Sequence, residues 1–261
     1  MKTTQQEKPL MGKEIHFYDE LPSTNGHAMT LALQGAGEGE VVIADRQIEG
    51  RGRLGRTWQS PPGVNLYLSV ILRPRIKPAD ASWITLMTGV AVAQTVSRYC
   101  PDSVSIKWPN DVMAHGKKLC GILTEIKMTT SGIDFAVVGI GVNINMTKDT
   151  FDEGYRYRST SLKEECRCDI SRSEFTAALL ESFEEWYEKL NADGFPPIRE
   201  AWMNYASVTG KTIEVNDRGT VRTGTFLGID ETGALLLKEE QQGTTQVLAG
   251  DVTVIEEETC Y

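Results

Sequence analysis

Three arginines alternate with three glycines in QIEGRGRLGRTW, residues 47–58, and downstream KWPND (107–111) and KKLCGIL (117–123) add three lysines and a carboxylate. Arg51, Arg53 and Arg56 each present a planar, permanently charged fork suited to carboxylate or phosphate. Read from its residues, the first segment is built for an anion. The other polar stretches have plainer readings beside a functional one. KWPND can be a proline turn stabilised by Asn110 and Asp111. Lys118 can be a lysine guarding a strand edge. The glycines of GIGVNIN (139–145) mark either a bulge or a place where another group closely approaches the sheet. STN (23–25) can simply cap a helix.

Gly50, Gly52 and Gly55 fit G-x-G-x-x-G, but context excludes the two usual meanings. A dinucleotide fingerprint opens a helix after a strand. Here EVVIAD (40–45) reads as the strand, yet TWQSPPGVNLYLSVIL follows with Pro61, Pro62 and Gly63 and no helix pattern. A kinase glycine loop needs V-A-I-K, H-R-D and D-F-G partners, and the chain has none of them. What remains is a strand-loop-strand segment. With Leu54 its only apolar side chain from Gly50 to Arg56, and three like charges, the loop is expected to be mobile until anions order it.

The elements that must position these groups can be read around them. EIHFYDELPSTNGHAMTLALQGAG predicts a strand, a turn and a helix entered at Ser23 or Thr24, with Met29, Leu31, Ala32 and Leu33 facing the core and Gly35 near its end. NLYLSVILRP is a strand; DASWITLMTGVAVAQTVSRY is a long helix capped by Asp80 and stopped by Pro101. SVSIKWPNDVMAHGKKLCGILTEIKM reads as a strand and a hairpin, and DFAVVGIGVNIN as a buried strand. A capping box from Ser171 to Glu174 starts a helix that runs to Gly194, and a short connection follows. From residue 206, short strands separated by NDRG, DETG and QQG predict a small β-barrel. The fold class is α+β: a mixed sheet with helices packed on it over 15–205, a second small β domain over 206–261, and a disordered tail over 1–14.

Composition bounds the function. With 27 basic and 36 acidic residues in 261, the net charge is -9, which argues against a protein that lies along nucleic acid. Cys100, Cys120, Cys166, Cys168 and Cys260 show no C-x-x-C and no zinc spacing with His16, His27 and His115. Cys166 and Cys168 read as surface thiols, and a reduced, cytoplasmic setting is expected. The N-terminal segment lacks a signal-peptide core, and no apolar run reaches membrane-spanning length.

Together, STN, Q-x-x-GRGRLGRTW, KWPND, KLCGILTE and GIGVNIN, in this order and spacing, resemble the biotin-protein ligases. RSTSL (158–162) and GTFLGIDETGALLL (224–237) extend the likeness over residues 15–258. The segment 150–158 departs from the family by lacking a proline after Phe151. Some members carry an N-terminal helix-turn-helix domain; the stretch before residue 15 is too short for three helices, so no DNA-binding role is expected.

The resemblance implies an SH3-like C-terminal domain and an activity that joins biotin to ATP as biotinyl-5'-AMP, then passes the biotinyl group to a lysine of a biotin carboxyl carrier domain. Ser23, Thr24, Asn25 and Gln47 then line the biotin pocket. Gly50, Arg51, Gly52, Arg53, Gly121, Gly139 and Gly141 complete the biotin side. Lys118, with Arg51 and Arg53, supplies catalytic charge between biotin carboxylate and α-phosphate. Arg53, Arg56, Trp58, Lys107, Asn110, Asp111, Lys118 and Asn143 fall on the ATP side, with Asp111 the candidate Mg²⁺ contact. A homodimer is compatible with the family, and no membrane partner is expected. Two other classes compete: a lipoate-protein ligase sharing the fold and the adenylate logic, and a non-enzymatic RNA-binding protein whose Arg-Gly loop contacts phosphates.

Overall fold

The computed structural model describes residues 10–154, 158–217 and 219–255. The first part of the chain gives β1 (Ile15–Leu21), α1 (Thr24–Leu33), β2 (Val41–Gln47), β3 (Leu66–Leu72), α2 (Ser82–Ser97), β4 (Val104–Lys107), β5 (Asp111–Ala114), β6 (Lys117–Thr129) and β7 (Gly132–Val142). These strands form one seven-stranded sheet in the order β1-β2-β3-β7-β6-β5-β4. β1 and β2 run parallel and the other neighbours antiparallel, which is the mixed sheet expected. Three helices follow: α3 (Leu162–Cys166), α4 (Arg172–Asp193) and α5 (Pro196–Asn204).

Strand alternation splits the sheet into two unlike faces. Leu66, Leu68 and Val70 of β3 and Val138, Ile140 and Val142 of β7 share a core with Met87, Val90 and Ala91 of α2 and Phe183 of α4. Their neighbours Ile71 and Val137, with Val42 and Ala44 of β2, pack under Ala28 and Ala32 of α1. Along this second face the sequence also places Ser69, Gly121, Gly139 and Gly141. Small residues there leave α1 to cover one half of the face and the loop after β2 the other.

The remaining strands, β8 (Thr212–Asp217), β9 (Thr220–Ile229), β10 (Leu235–Glu239), β11 (Gly243–Val247) and β12 (Asp251–Val254), form an antiparallel sheet in the order β11-β10-β9-β8-β12. Among the described residues no ladder joins β11 to β12, so the expected barrel is an open five-stranded sheet. It shares the main core with the larger sheet: buried Trp202 of α5 meets Phe226 of β9, ring centroids 6.4 Å apart. Buried Trp108 donates its indole N–H to the Gly233 carbonyl, 3.1 Å away.

Several expectations are corrected. The connection after Gly194 is helix α5, with prolines in its first turn, where the missing N–H costs nothing. Asp80 lies in a 3-10 turn and does not cap α2, whose N-cap is Ala81 without a side-chain bond. Leu33 is 62% exposed, because α1 ends there and its last turn leaves the sheet. Leu10 and Met11, placed in the tail, bond Glu184 of α4 through their amides, and Met11 is buried; residues 1–9 lie outside the described set. Cys166 is half-buried, with its Sγ 2.9 Å from that of buried Cys100. The Ser171 cap stands as read, accepting from the Glu174 amide.

Candidate active site

The arginine loop is a folded hairpin with its own bonds. Arg51 and Thr57 form an antiparallel bridge. The Gly52 amide donates to the Arg56 carbonyl at 2.7 Å and the Trp58 amide to the Gly50 carbonyl at 2.9 Å. At the tip, Leu54 and Gly55 have φ of 55° and 74°. Gly55 adopts that conformation without strain; Leu54 does so at some cost. Gly50 is required for space, since a Cβ there would run into the Trp58 carbonyl and lie 2.7 Å from Ser60 Oγ.

Its arginines all have partners. Arg51 forks onto Glu125 of β6 at 3.3 and 3.2 Å. Arg53 donates to Asn110 Oδ1 at 2.9 Å and to the Gly250 carbonyl at 3.3 Å, and lies 3.7 Å from Asp251. Arg56 pairs with Asp251 as well. The expectation of a loop with nothing to hold it is therefore overturned: two carboxylates distant in sequence, Glu125 and Asp251, neutralise it, one from each sheet.

Behind the loop, Trp58 lies flat against the glycines. Gly121 and Gly141 are cross-strand neighbours, and a Cβ on either would meet the indole, at 3.0 and 2.5 Å. The register of β7 is unbroken from Ala136 to Val142, so the bulge reading of GIGVNIN fails and the close-approach reading holds. The groups that approach are side chains of this chain: Trp58 over Gly141, and the Asn25 carboxamide over Gly139. The Trp58 indole N–H is buried with no hydrogen-bond partner among the described residues.

Lys118 is on β6, which is flanked by β5 and β7, so it guards no sheet edge. Its Nζ is 2.7 Å from Asp111 Oδ1 and 5.5 Å from the Trp58 ring. Its backbone is clamped: the Lys118 amide donates to the Arg158 carbonyl, and its carbonyl accepts from the Thr160 amide. Asn143 is buried and spends its amide donor on the Thr160 carbonyl, 3.0 Å away, so it braces this segment. Lys107 faces Asp111 across the KWPND turn. Burial pulls its pKa below the usual lysine range and Lys118 adds to that, while Asp111 opposes. Asn110 does both things asked of it: Nδ2 holds the turn through the Ile122 carbonyl, and Oδ1 accepts from Arg53.

Beneath α1 is a cluster of buried polar side chains. Ser23 is the helix cap, accepting weakly from the Gly26 amide at 3.5 Å. Thr24 and Asn25 turn inward and are buried. Thr24 donates to Gln47 Oε1 from its amide at 2.8 Å. Ser69 Oγ lies 2.8 Å from Thr24 Oγ1 and 2.7 Å from Asn25 Oδ1. Gln47 continues through Ser60 to the Trp58 carbonyl. Buried hydroxyls and amides, with cationic groups beside them, suit a ligand that has a polar head and an anionic end.

Residues 20–145 match the Biotin/lipoate A/B protein ligase family and residues 208–254 the Biotin protein ligase C terminal domain. The biotin acetyl-CoA-carboxylase ligase of Paracoccus denitrificans is 34% identical over 83% of this chain and 90% of its own length. The chain belongs to the biotin protein ligases. The corresponding ligase of Mycobacterium tuberculosis is 32% identical over 92% of this chain and 88% of its own. Among solved structures, the biotin protein ligase of Aquifex aeolicus in complex with biotin and ATP superposes with a TM-score of 0.80 at 28% identity, covering 94% of this chain and 100% of that one. In this ligase the predicted site residues lie on the loop, the KWPND turn, the α1 N-terminus or the glycine-bearing strands β6 and β7, with Asn143 just past the end of β7. Sequence reading missed Ser60, Ser69, Glu125 and Asp251. Glu125 closes the KLCGILTE motif and was visible; Asp251 carried no local signal.

Proposed function

We infer that the protein is an ATP-dependent ligase that activates biotin and transfers it to a lysine of a carboxylase carrier domain. The biotin carboxylate attacks the α-phosphorus of ATP, forming biotinyl-5'-AMP and releasing pyrophosphate. The acceptor lysine's amine then attacks the anhydride carbonyl, forming an amide and releasing AMP. No protein nucleophile is needed, because each attacking group arrives with a substrate.

The observation that carries this reading is Lys118 held between Trp58 and Asp111, at the junction of the arginine loop and the polar pocket. Two unit charges about 4 Å apart repel by ~4 kcal/mol at an effective dielectric of ~20. Several charge-assisted contacts, at roughly 1.5 to 3 kcal/mol each, are needed to bring a carboxylate against a triphosphate. Lys118, Arg51, Arg53, Arg56 and Lys107 provide them. In this reading the head of biotin, the ureido ring, bonds Thr24, Asn25 and Gln47, Lys118 stabilises charge developing at the α-phosphate, and the nucleotide meets Trp58 and Arg56. Asp111 suits a Mg²⁺ delivered with ATP: it is half-buried, its Oδ1 makes no hydrogen bond beyond the Lys118 ion pair, and Mg²⁺ commonly combines one or two carboxylates with phosphate oxygens. Such an ion would neutralise phosphate charge. We read residues 15–205 as the catalytic domain and 206–261 as an SH3-like partner domain.

Biotin must be separated from lipoate, since the matched family model includes both. Purified protein with Mg²⁺ is expected to exchange labelled pyrophosphate into ATP when biotin is added and not when lipoate is, because a dithiolane has no N–H to offer Asn25 Oδ1 and no oxygen for the neighbouring hydroxyls. Equal exchange with the two acids would overturn the biotin assignment.

A further inference from the structure

Glu125 stands on β6 opposite Val137, on the same face as Gly121 and Gly139. Its carboxylate serves two parts of the site at once. Both oxygens take the fork of Arg51, and Oε2 also accepts from Asn25 Nδ2 at 2.9 Å. Asn25 spends its other amide hydrogen on the Leu123 carbonyl, 3.0 Å away.

The direction at the Glu125 end of the chain follows from donor counting. Asn25 Oδ1 can only accept, so the Ser69 hydroxyl is the donor between them, while the single Thr24 hydroxyl hydrogen is drawn both to Ser69 and to Gln47 Oε1, 3.1 Å away. Donation therefore runs Ser69 to Asn25 to Glu125, with Arg51 donating from the other side. A group that only accepts is needed at the end, and an ionised carboxylate is such a group. With it in place both Asn25 hydrogens are committed, and Asn25 offers a ligand its oxygen, an acceptor for an N–H.

We propose that Glu125 is a positioning residue that sets the acid-binding half of the site: it fixes Asn25 as an acceptor and parks Arg51 at the pocket mouth, from which Arg51 passes to the carboxylate of the bound acid. This rests on the biotin ligase reading for the identity of the acid, and on the geometry alone for the Glu125 contacts. The hand-over exchanges one carboxylate for another on an arginine that is 47% exposed, so little opposes it.

Glutamine at 125 separates the two duties. Its carbonyl can still accept from Asn25, but its amide then faces Arg51, donor against donor. Glu125→Gln and Glu125→Ala, each confirmed folded by thermal melting, would be compared with the parent in two assays. In limited trypsin digestion of ligand-free protein, both variants are expected to be cut after Arg51 faster, by about 3-fold, the scale of an exposed ion pair. In pyrophosphate exchange, Glu125→Ala is expected to raise the KM for biotin about 10-fold, the scale of one charge-assisted bond, and Glu125→Gln by much less. The kcat of both variants should remain near that of the parent. Unchanged cleavage after Arg51 in both variants, or a loss of kcat with unchanged KM in Glu125→Ala, would overturn the proposal. Absence of biotin-dependent exchange in the parent would instead sink the ligase reading, while the trypsin assay would still report on Glu125.

Discussion

Gly139→Ala and Gly141→Ala are the same chemical change two residues apart on one strand, and the structure directs them to different substrates. At Gly141 the added Cβ would lie 2.5 Å from Trp58 Nε1 and 2.6 Å from Cε2, where ordinary contact starts at 3.4 Å. The indole must therefore retreat by roughly 1 Å, a displacement that costs on the order of 10²-fold when it misplaces a reacting group. At Gly139 the Cβ would overlap the Asn25 carboxamide. Asn25 must leave its slot, losing its bonds to Ser69, Leu123 and Glu125. At ~1 kcal/mol per bond this is roughly 3 kcal/mol of stability, and the acid loses the acceptor that Asn25 Oδ1 offers, on the order of 10-fold in affinity. Overpacking also lowers stability by about 1 to 3 kcal/mol in each variant, which thermal melting reads separately. The assay is pyrophosphate exchange with each substrate varied while the other saturates. Gly139→Ala should raise the KM for biotin with modest change in ATP kinetics, and Gly141→Ala should lower kcat or raise the KM for ATP. If both folded variants shifted the same parameter, or neither shifted any, the assignment of Asn25 and Trp58 to opposite ends of the site would fall.

Lys118→Ala should lower the rate of adenylate formation by roughly 10² or more in single-turnover measurements, the size of removing one preorganised stabiliser; a near-normal rate would reduce Lys118 to a partner of Asp111. Asp251→Asn should speed trypsin cleavage after Arg53 and Arg56 several-fold in ligand-free protein while leaving Arg51 little changed, because Asp251 pairs only the first two; uniform acceleration at all three sites would refute separate anchoring. Alkaline stability follows from burial: it raises the thiol pKa of Cys100, from 9.0 to about 12, that of Cys120 above 9.0, and the phenol pKa values of Tyr67 and Tyr187 above 10.0. Groups raised on folding stabilise fully below their unfolded values and lose that contribution as pH climbs toward the folded ones. Lys107, lowered by burial, acts in the opposite sense but is a single group. The melting temperature should therefore fall from about pH 9 upward, and Tyr187→Phe should flatten the fall; a Tm rising between pH 9 and 11 would contradict the balance.

Much of the site was legible because its parts are contiguous. The Arg-Gly loop, KWPND, KLCGILTE and GIGVNIN each carry a local chemical pattern, and periodicity alone gave most strands and the Ser171 helix. The errors have local causes too. Two prolines concealed α5, since they read as a break although they suit a first turn. Asp80 had the right type for a cap one residue too early. Leu33 kept the apolar pattern of a helix that had already left the sheet.

What the sequence by itself determined is which groups are available: forks and ammonium groups for anions, amides and hydroxyls for a polar head, and glycines where no side chain would fit. Tertiary structure alone decided who meets whom. That Gly139 and Gly141 make room for Asn25 and Trp58, that Lys118 is central in the sheet, and that Glu125 and Asp251 neutralise one loop from two sheets are facts of strand order and register. Contacts spanning 74 and 195 residues leave no trace in a local pattern; they exist because the two sheets bury one continuous core, and that burial fixes where their surface charges meet.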